Sequence, residues 1–381
     1  MFNYIIIGAG LAGSVIAERI ASSLNKEILL IEQRSNTGGN CYDYSDNNGI
    51  IIHKYGPHLF HTDSKEVFEY LSNFTEWRVY HHKVMAFVDG KKIPIPFNLN
   101  SLRLAFPETI AKRIESKLLK EFNYGDKIPV LELRKSLDTD LKALSNFVYE
   151  KIFLNYTIKQ WGRKPEEIDS SVTARVPLCI TREDGYFTDK YQAVPLEGYS
   201  KMFEQMLHNS KMKILLKTHH SKLIKIDLKN KKIYFDGNEF KGRLIYTGMI
   251  DELFDYRFGK LPYRSLEFKL ETLNKEYFQE VAVVNYPNDY EFTRITEFKH
   301  IHPVDVKKTT IAKEYSLDYR KGRIPSYPLF DKSGQETYYK YLESSKDFKN
   351  LILLGRLAEY RYYDMDDIAK RALEVFEERI K

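Results

Sequence analysis

The sequence IIIGAGLAG, residues 5–13, decides the fold of the first part of the chain. It joins a short apolar run, Asn3–Ile7, to small and apolar residues at helical spacing over residues 11–23. A second apolar run follows at Glu27–Ile31. A strand, a tight turn, a helix and a second strand within about thirty residues are the context that a dinucleotide fingerprint requires. The opening segment therefore predicts a Rossmann-type fold.

Three glycines and one acid predict a nucleotide site in this fold. Gly8 allows the tight turn, Gly10 lets the backbone approach a pyrophosphate, and Gly13 lets the helix pack against the strand. The N-terminus of the helix then faces the diphosphate charge. Glu32 comes nineteen residues after Gly13, at the end of the second strand, where a carboxylate accepts hydrogen bonds from ribose hydroxyls.

Length, charge and cysteine spacing exclude several classes of protein. A chain of 381 residues exceeds what one hydrophobic core usually organises, so two or three lobes are expected. Its 59 Lys and Arg against 53 Asp and Glu are scattered, which argues against nucleic acid as a partner and favours a small anionic ligand. Cys41 and Cys179 lack metal-ligand spacing, and no apolar run is long enough to span a bilayer. We therefore expect a cytoplasmic protein that begins near Met1.

The pattern of apolar residues changes along the rest of the chain. Residues 109–154 carry Leu, Lys and Glu at helical spacing and predict a small helical lobe. Residues 223–300 carry shorter apolar runs and predict a largely antiparallel sheet lobe. These runs are Leu223–Ile226, Lys232–Phe235, Leu244–Tyr246 and Val281–Tyr286. A strand at Leu351–Leu354 and a helix at Asp366–Arg379 are expected to close the chain.

Two polar and aromatic segments are candidates for chemistry. Residues 55–62 hold His58 and His61 three positions apart, but no carboxylate or thiol is suitably spaced, so a loop facing the cofactor is favoured over a metal site. No metal is expected. Residues 153–161 follow the helical lobe, and their aromatic rings either stack on a base or pack in the core.

Motifs along the whole chain resemble those of a known family. Gly38, Gly39 and Asn40, just after the acid, resemble the extension found in FAD proteins of the glutathione-reductase and amine-oxidase type. The full set resembles the bacterial UDP-galactopyranose mutases. Its members are GAGLAG with Glu32, GGN at 38–40, YGPHLFHT at 55–62, NYTIKQW at 155–161, ARVP at 174–177, DGYF at 184–187, TRITEFKH at 293–300 and GRLAEYRYYDMD at 355–366. The first motif is widespread, whereas the later ones together are specific to this family.

The resemblance implies an α/β fold with a Rossmann-type FAD-binding domain, a small helical domain and an antiparallel β-sheet domain. The FAD-binding domain is expected at residues 1–65, 195–245 and 345–381, the helical domain at 100–165, and the sheet domain, which binds substrate, at 66–99, 166–194 and 246–344.

The resemblance also implies an isomerase that interconverts UDP-galactopyranose and UDP-galactofuranose for cell-surface glycan synthesis. In that family reduced FAD is required, and its N5 atom attacks the anomeric carbon as UDP leaves, so that the sugar ring opens and recloses through a different hydroxyl. A homodimer and an external reductant such as NAD(P)H are expected.

Individual residues take their expected roles from the same motifs. Arg175 and Arg294 match two catalytic arginines, with Arg175 on a loop that closes over substrate, and His61 matches a histidine beside the flavin. The expected substrate-binding residues are Phe153, Tyr156, Trp161, Tyr186, Tyr327 and Tyr362. The expected cofactor-binding residues are Gly8, Gly10, Ala12, Gly13, Glu32, Gly39, Asn40, His58, Arg356, Asp364 and Met365.

Some assignments stay open in the sequence. Tyr315, Tyr319 and Tyr327 lie close together, and any of them is a candidate for the contact with the diphosphate. Cys179 stands where a basic residue is expected. The competing functions are an amine-oxidase-type flavin oxidoreductase, a non-catalytic nucleotide-sugar binder, and a mutase that also accepts UDP-N-acetylgalactosamine.

Overall fold

The computed structural model describes residues 2–164, 177–320 and 322–381. Its first lobe is built on a parallel sheet of five strands. In spatial order the strands are Met212–Leu215, Ile28–Ile31, Tyr4–Ile7, Arg243–Tyr246 and Leu351–Leu353. Separate apolar clusters cover the two faces, which explains why the strands read as continuous apolar runs. The predicted Rossmann-type fold is confirmed.

The first helix, Leu11–Leu24, packs on one face of this sheet against the helix Met365–Val375. It begins after Gly10, whose backbone is extended, and ends at Asn25 in the left-handed conformation with φ 51°. Because Gly10 and the first helical turn lie at the carboxyl end of the first strand, the helix N-terminus opens on the cleft described below.

The second lobe contains a seven-stranded sheet, which is antiparallel except for one pair. In spatial order its strands are Tyr327–Pro328, Tyr263–Leu273, Thr309–Asp318, Arg294–Glu297, Val283–Asn285, Val84–Val88 and Lys91–Ile95. The pair Tyr263–Leu273 and Thr309–Asp318 forms its spine, with ten residues of each strand in register.

The sequence analysis assigned too much of residues 223–300 to this sheet. Arg243–Tyr246 is instead the parallel neighbour of Tyr4–Ile7 in the first lobe. Ile224–Asp227 and Lys232–Phe235 form a small separate sheet with Asn238–Glu239. Short apolar runs predict strands correctly, but the partner of a strand depends on the tertiary fold, which the run itself does not encode.

In the chain, the helical part follows Lys91–Ile95 and precedes Tyr263–Leu273, both of which are strands of the seven-stranded sheet. Its helices are Leu99–Ala105, Glu108–Glu121, Val130–Leu133, Thr139–Val148 and Asn155–Trp161, with a π-helical segment at Tyr149–Leu154. The short strand Lys127–Pro129 interrupts them and pairs with Pro177–Cys179. One apolar cluster joins these helices to the seven-stranded sheet.

Two small sheets hold the segment that carries the predicted histidines. Phe60–Thr62 pairs with Tyr191–Pro195, which also pairs with Trp77–Val79, and Asp43–Ser45 pairs with Ile51–His53. Among the described residues, the remaining α-helices are Lys65–Leu71, Tyr199–Met206, Ile250–Leu253 and Lys332–Ser345. Among the residues that the structure describes, no helix has both the length and the apolar character needed to cross a membrane.

Candidate functional site

A long cleft opens at the carboxyl ends of the parallel strands, where nucleotides bind in folds of this kind. The predicted cofactor residues that line it are Gly8, Gly10, Ala12, Glu32, Gly39, Asn40, His58, Arg356, Asp364 and Met365. Gly13 does not line the cleft and lies against the backbone of Gly8. The structure therefore brings together, in one cleft, residues from the two ends of the chain.

The three glycines of the fingerprint have different surroundings. A Cβ on Gly8, where φ is +98°, would lie 2.1 Å from Thr247 Oγ1, and one on Gly13 would lie 1.9 Å from the carbonyl oxygen of Gly8. A Cβ on Gly10 would meet no described protein atom closer than the Cα of Gly39, at 3.7 Å. Internal packing thus requires glycine at positions 8 and 13, whereas the bare backbone at Gly10 leaves room for something bound in the cleft.

Glu32 closes the turn from the other side. One carboxylate oxygen accepts from the backbone N–H of Ala9 and the other from that of Arg34, each at 2.8 Å. Each oxygen retains a lone pair, so the carboxylate still has acceptor capacity for ribose hydroxyls. The support that Glu32 gives to the glycine turn was not predicted from the sequence.

Arg34 supplies a cation with spare hydrogen-bonding capacity. Its Nη2 donates to Asn40 Oδ1 over 2.9 Å, and its guanidinium lies 4.4 Å from the centre of the Tyr55 ring. Its Nη1 is buried and has no hydrogen-bond partner among the described residues. A buried N–H that lacks a partner is costly unless a ligand satisfies it. Together with the bare Gly10, this group fits the diphosphate of a dinucleotide.

His58 stands at the inner end of the cleft. Its backbone N–H donates to His53 Nδ1 over 3.0 Å, and its own Nδ1 lies 2.8 Å from the carbonyl oxygen of Gly56. Burial, reinforced by the charges of Arg356 and Arg294, lowers the pKa of His58 to about 4. The imidazole is therefore neutral at pH 7.

His61 lies on the small sheet beside this cleft but is not among the residues that line it. Its ring stacks on Phe187 with 3.7 Å between the ring centres. Its Nδ1 is 3.2 Å from Asp189 Oδ2, but without the geometry of a hydrogen bond. The proximity of His61 to the flavin remains a prediction.

Arg294 occupies the centre of the predicted substrate region. Its Nε donates to Glu314 Oε2 over 2.7 Å, across neighbouring strands whose register pairs these two residues. Burial alone would lower the pKa of Arg294, but Glu314 outweighs it, with a contribution from Tyr156, and raises that pKa. The guanidinium is thus a permanent cation held at a fixed position.

Tyr327 and Trp161 pack together, with 4.9 Å between their rings, and both are buried. Tyr327 Oη donates to the carbonyl oxygen of Gln160 over 2.8 Å, and burial raises the pKa of Tyr327 to about 12. Arg264 also bonds this carbonyl, over 3.2 Å, and thereby holds the end of the helix Asn155–Trp161. Tyr362, below the Arg356 guanidinium at 5.0 Å, connects this region to the cofactor cleft.

The other two tyrosine candidates have different surroundings. Tyr315 packs against Phe292 with 6.2 Å between ring centres, and Tyr319 meets Tyr263 edge-on at 5.9 Å. Tyr327 is therefore the candidate that the fold places beside Trp161.

The other predicted substrate residues differ in exposure. Phe153 is 3% exposed and packs in the large apolar cluster, whereas Tyr156 is half-buried near Arg294. Tyr186 is 38% exposed and meets His82 edge-on with 5.6 Å between rings. The predicted catalytic Arg175 lies outside the described residues.

Sequence reasoning missed several groups near the site. Glu314 and His82 could not be found from local motifs. Strand register brings Glu314 to Arg294, and loop packing brings His82 there. At the other end of the cleft, the ligand atoms of His219, His220 and Glu252 lie within 4.8 Å of one another. One of these contacts, 3.3 Å from His219 Nε2 to Glu252 Oε1, is also what a simple histidine–carboxylate pair gives.

Comparison with known proteins agrees with the geometry. Residues 151–362 match the family model described as UDP-galactopyranose mutase, and residues 6–74 match that of an NAD(P)-binding Rossmann-like domain. The chain is 32% identical to the dTDP-fucopyranose mutase of Escherichia coli, covering 100% of this chain and 99% of that protein. It is 33% identical to a probable UDP-galactopyranose mutase of Klebsiella pneumoniae, covering 99% and 94%.

Solved structures show the same fold at lower identity. A crystal structure of reduced UDP-galactopyranose mutase is 17% identical, with a TM-score of 0.74 over 99% of this chain and 93% of that one. Putrescine oxidase bound to putrescine is 10% identical, with a TM-score of 0.60 over 100% and 99%. The fold is therefore shared by mutases and oxidases, and does not by itself choose between them.

Proposed function

Because the chain belongs to the UDP-galactopyranose mutase family, a family of isomerases, we propose that it interconverts the pyranose and furanose forms of UDP-galactose with reduced FAD. The observation that carries this proposal is the position of Arg294. A permanent cation, held by Glu314 among tyrosines, stands next to the His58 end of a dinucleotide cleft. Such a cation suits a reaction in which a diphosphate leaves a sugar beside the cofactor.

The cofactor assignment rests on this chain's own donors and space. Glu32 would accept from the ribose, Arg34 Nη1 would donate to the diphosphate, and the bare Gly10 would allow close approach. Arg356, Asp364 and Met365, at the far end of the cleft, would line the flavin end. When bound, reduced FAD supplies a nucleophilic nitrogen for the anomeric carbon.

Arg294 would stabilise the leaving diphosphate. Negative charge grows on that group as its bond to the sugar lengthens, and a cation already in place stabilises the charge without reorganisation. Glu314 holds the guanidinium in place. Tyr327 and Tyr362 are proposed from their motifs as contacts of the diphosphate. Arg175, from its motif, is proposed as the second cation, and Phe153 and Tyr156 as contacts of the base.

A second candidate substrate is the dTDP-fucose pair of sugar forms. The relative that carries this name matches the full length of the chain at 32% identity, close to the 33% of the probable UDP-galactopyranose mutase. Both reactions require a departing nucleoside diphosphate, so the Arg294 region suits either. Activity on UDP-N-acetylgalactosamine is a further possibility within the same chemistry.

Several broader properties follow from family membership as proposals. They are a cytoplasmic homodimer, an external reductant such as NAD(P)H, and a product used in cell-surface glycans. An oxidase activity is the rival function, since oxidases share the fold.

The deciding experiment is a chromatographic assay of purified protein with UDP-galactofuranose, with and without dithionite. Conversion to UDP-galactopyranose only after reduction of bound FAD supports the proposal. A parallel assay with dTDP-fucofuranose ranks the two substrates by kcat/KM. A protein with reducible FAD that converts neither substrate would contradict the mutase proposal and favour an oxidase.

A further inference from the structure

Two buried histidines join the cofactor cleft to the second lobe. His53 ends the strand Ile51–His53, is 1% exposed, and accepts the backbone N–H of His58 at Nδ1 over 3.0 Å. Its Nε2 lies 3.3 Å from Nε2 of His302, which is 7% exposed and follows the turn Phe298–His300. These two residues are 249 positions apart in the chain.

The partners of His53 allow one arrangement of protons. A backbone N–H only donates, so Nδ1 of His53 is the unprotonated nitrogen and the proton of the neutral ring is on Nε2. That proton is donated to His302 Nε2, which must then accept, so His302 carries its own proton on Nδ1. The two hydrogen bonds therefore point the same way: His58 donates to His53, and His53 donates to His302.

Packing keeps the pair neutral and fixed. The rings of Tyr199 and Phe298 lie 5.6 and 5.9 Å from that of His53. Burial lowers the pKa of His53, with a further contribution from His302, and burial beside Arg78 lowers that of His302 to about 4. Both imidazoles are therefore uncharged at pH 7.

The segment that His53 holds, residues 54–58, lies between the strands Ile51–His53 and Phe60–Thr62. A Cβ on Gly56, where φ is +92°, would lie 2.9 Å from the Phe268 ring, so this turn is pressed against the second lobe. The imidazole of His58 turns back to the carbonyl oxygen of Gly56 and lines the cleft. The His58 backbone N–H itself donates to His53 Nδ1, while the Gly56 N–H donates to the carbonyl oxygen of His53 over 3.3 Å, so His53 holds this turn at two points.

We propose that the His53–His302 pair positions His58 against the cofactor, with His53 as the positioning residue and His302 as the group that selects its tautomer. The inference rests on the FAD site of the proposed function. Without the bond to His53, the His58 N–H of the apoprotein would turn towards water, and cofactor binding would have to restore its order.

Two substitutions of His53 separate the two bonds. In His53→Asn, the amide oxygen takes the place of Nδ1 and accepts from His58, but the side chain does not reach His302. In His53→Gln, the longer amide reaches His302 and leaves the His58 N–H without an acceptor. The Kd for FAD is measured by flavin fluorescence. It should be within about twofold of the wild-type value for the Asn variant and about tenfold higher for the Gln variant.

The visible absorption of bound flavin and the melting temperature of the apoprotein are measured alongside. The Gln variant should shift the flavin spectrum, which a change in stability alone does not do, and the exposed His208→Asn serves as the control for loss of a histidine. Equal FAD affinities for the Asn and Gln variants of His53 would overturn the inference.

A measurement on the wild-type apoprotein tests the pair without any substitution. Nitrogen-15 NMR of labelled histidines should show His53 protonated at Nε2 and His302 at Nδ1. The reverse tautomer of His53 would overturn the inference. A wild-type protein that binds no FAD at all would instead overturn the proposed function, because the pair would still give its NMR signature.

Discussion

Arg294 and Glu314 form an ion pair across two strands of the second lobe, with Nε and Oε2 2.7 Å apart. Glu314 is 1% exposed and also accepts a hydrogen bond from Thr293 Oγ1 over 3.2 Å. The carboxylate is therefore held in place independently of the arginine. Removing one member of a buried pair leaves the other uncompensated. Changes at either residue should therefore have different effects on stability and on turnover.

Arg294→Lys should keep the yellow, FAD-loaded protein and lower kcat by about 10² or more, because a point charge on a flexible stem does not reproduce the held guanidinium. Mutase turnover and flavin content are measured together. The exposed Arg113→Lys, on the helical lobe, is the matched control. Normal turnover in Arg294→Lys would remove the proposed role.

Glu314→Gln should retain the shape of the side chain and lose the charge that orients Arg294. We expect kcat to fall by about tenfold and the free energy of unfolding by about 1–3 kcal/mol, since the half-buried guanidinium loses its counter-ion. Urea denaturation and the mutase assay measure the two effects. An unchanged kcat with lowered stability would show that the ion pair is structural only.

Arg175→Ala should lower turnover by about 10² or more with FAD retained, as expected for a cation that meets the departing diphosphate. This expectation rests on the ARVP motif alone. Steady-state kinetics of the flavin-loaded variant provide the measurement, and normal activity would contradict the assignment.

The glycines of the fingerprint should respond differently to alanine and valine. In the apoprotein Gly10→Ala should have little effect on stability, because its Cβ meets only Gly39 at 3.7 Å, whereas Gly13→Ala should cost about 1–3 kcal/mol from the clash with Gly8. Gly10→Val should prevent FAD retention. Calorimetry of the apoproteins and flavin content after purification separate these effects, and a fully flavinated Gly10→Val protein would argue against the placement of the cofactor.

Acid should destabilise the apoprotein through its buried histidines. Burial lowers the pKa of His58, His220 and His302 to about 4 and that of His82 to about 3, below the ordinary value of 6.5. Between about pH 4 and pH 6.5, these histidines are protonated in the unfolded chain but not in the folded chain. The stability is therefore full above about pH 6.5 and falls as the pH drops towards 4, by about 1.4 kcal/mol per pH unit for each histidine.

Asp251, whose pKa burial raises to about 6, acts in the opposite direction, as do Asp43 and Asp366, whose pKa values burial also raises. Urea denaturation at pH 7.5 and pH 5.0 tests the balance. An equal or greater free energy of unfolding at pH 5.0 would show that these histidines are not buried as neutral rings.

Features that depend on neighbouring residues could be predicted from the sequence, and features that depend on register could not. Gly8 and Gly13 act within one turn between a strand and a helix, so their spacing is sufficient. Glu314 reaches Arg294 only through the pairing of two strands. The base-binding assignment of Phe153 came from its motif, whereas its nearly complete burial comes from helix packing.

The order of strands in the first sheet has a consequence for synthesis of the chain on the ribosome. Residues 4–31 emerge long before the edge strand Leu351–Leu353 and the covering helix Met365–Val375. At usual rates of translation the interval is on the order of tens of seconds. Until that helix is made, the apolar face that it covers in the folded protein stays exposed in the nascent chain.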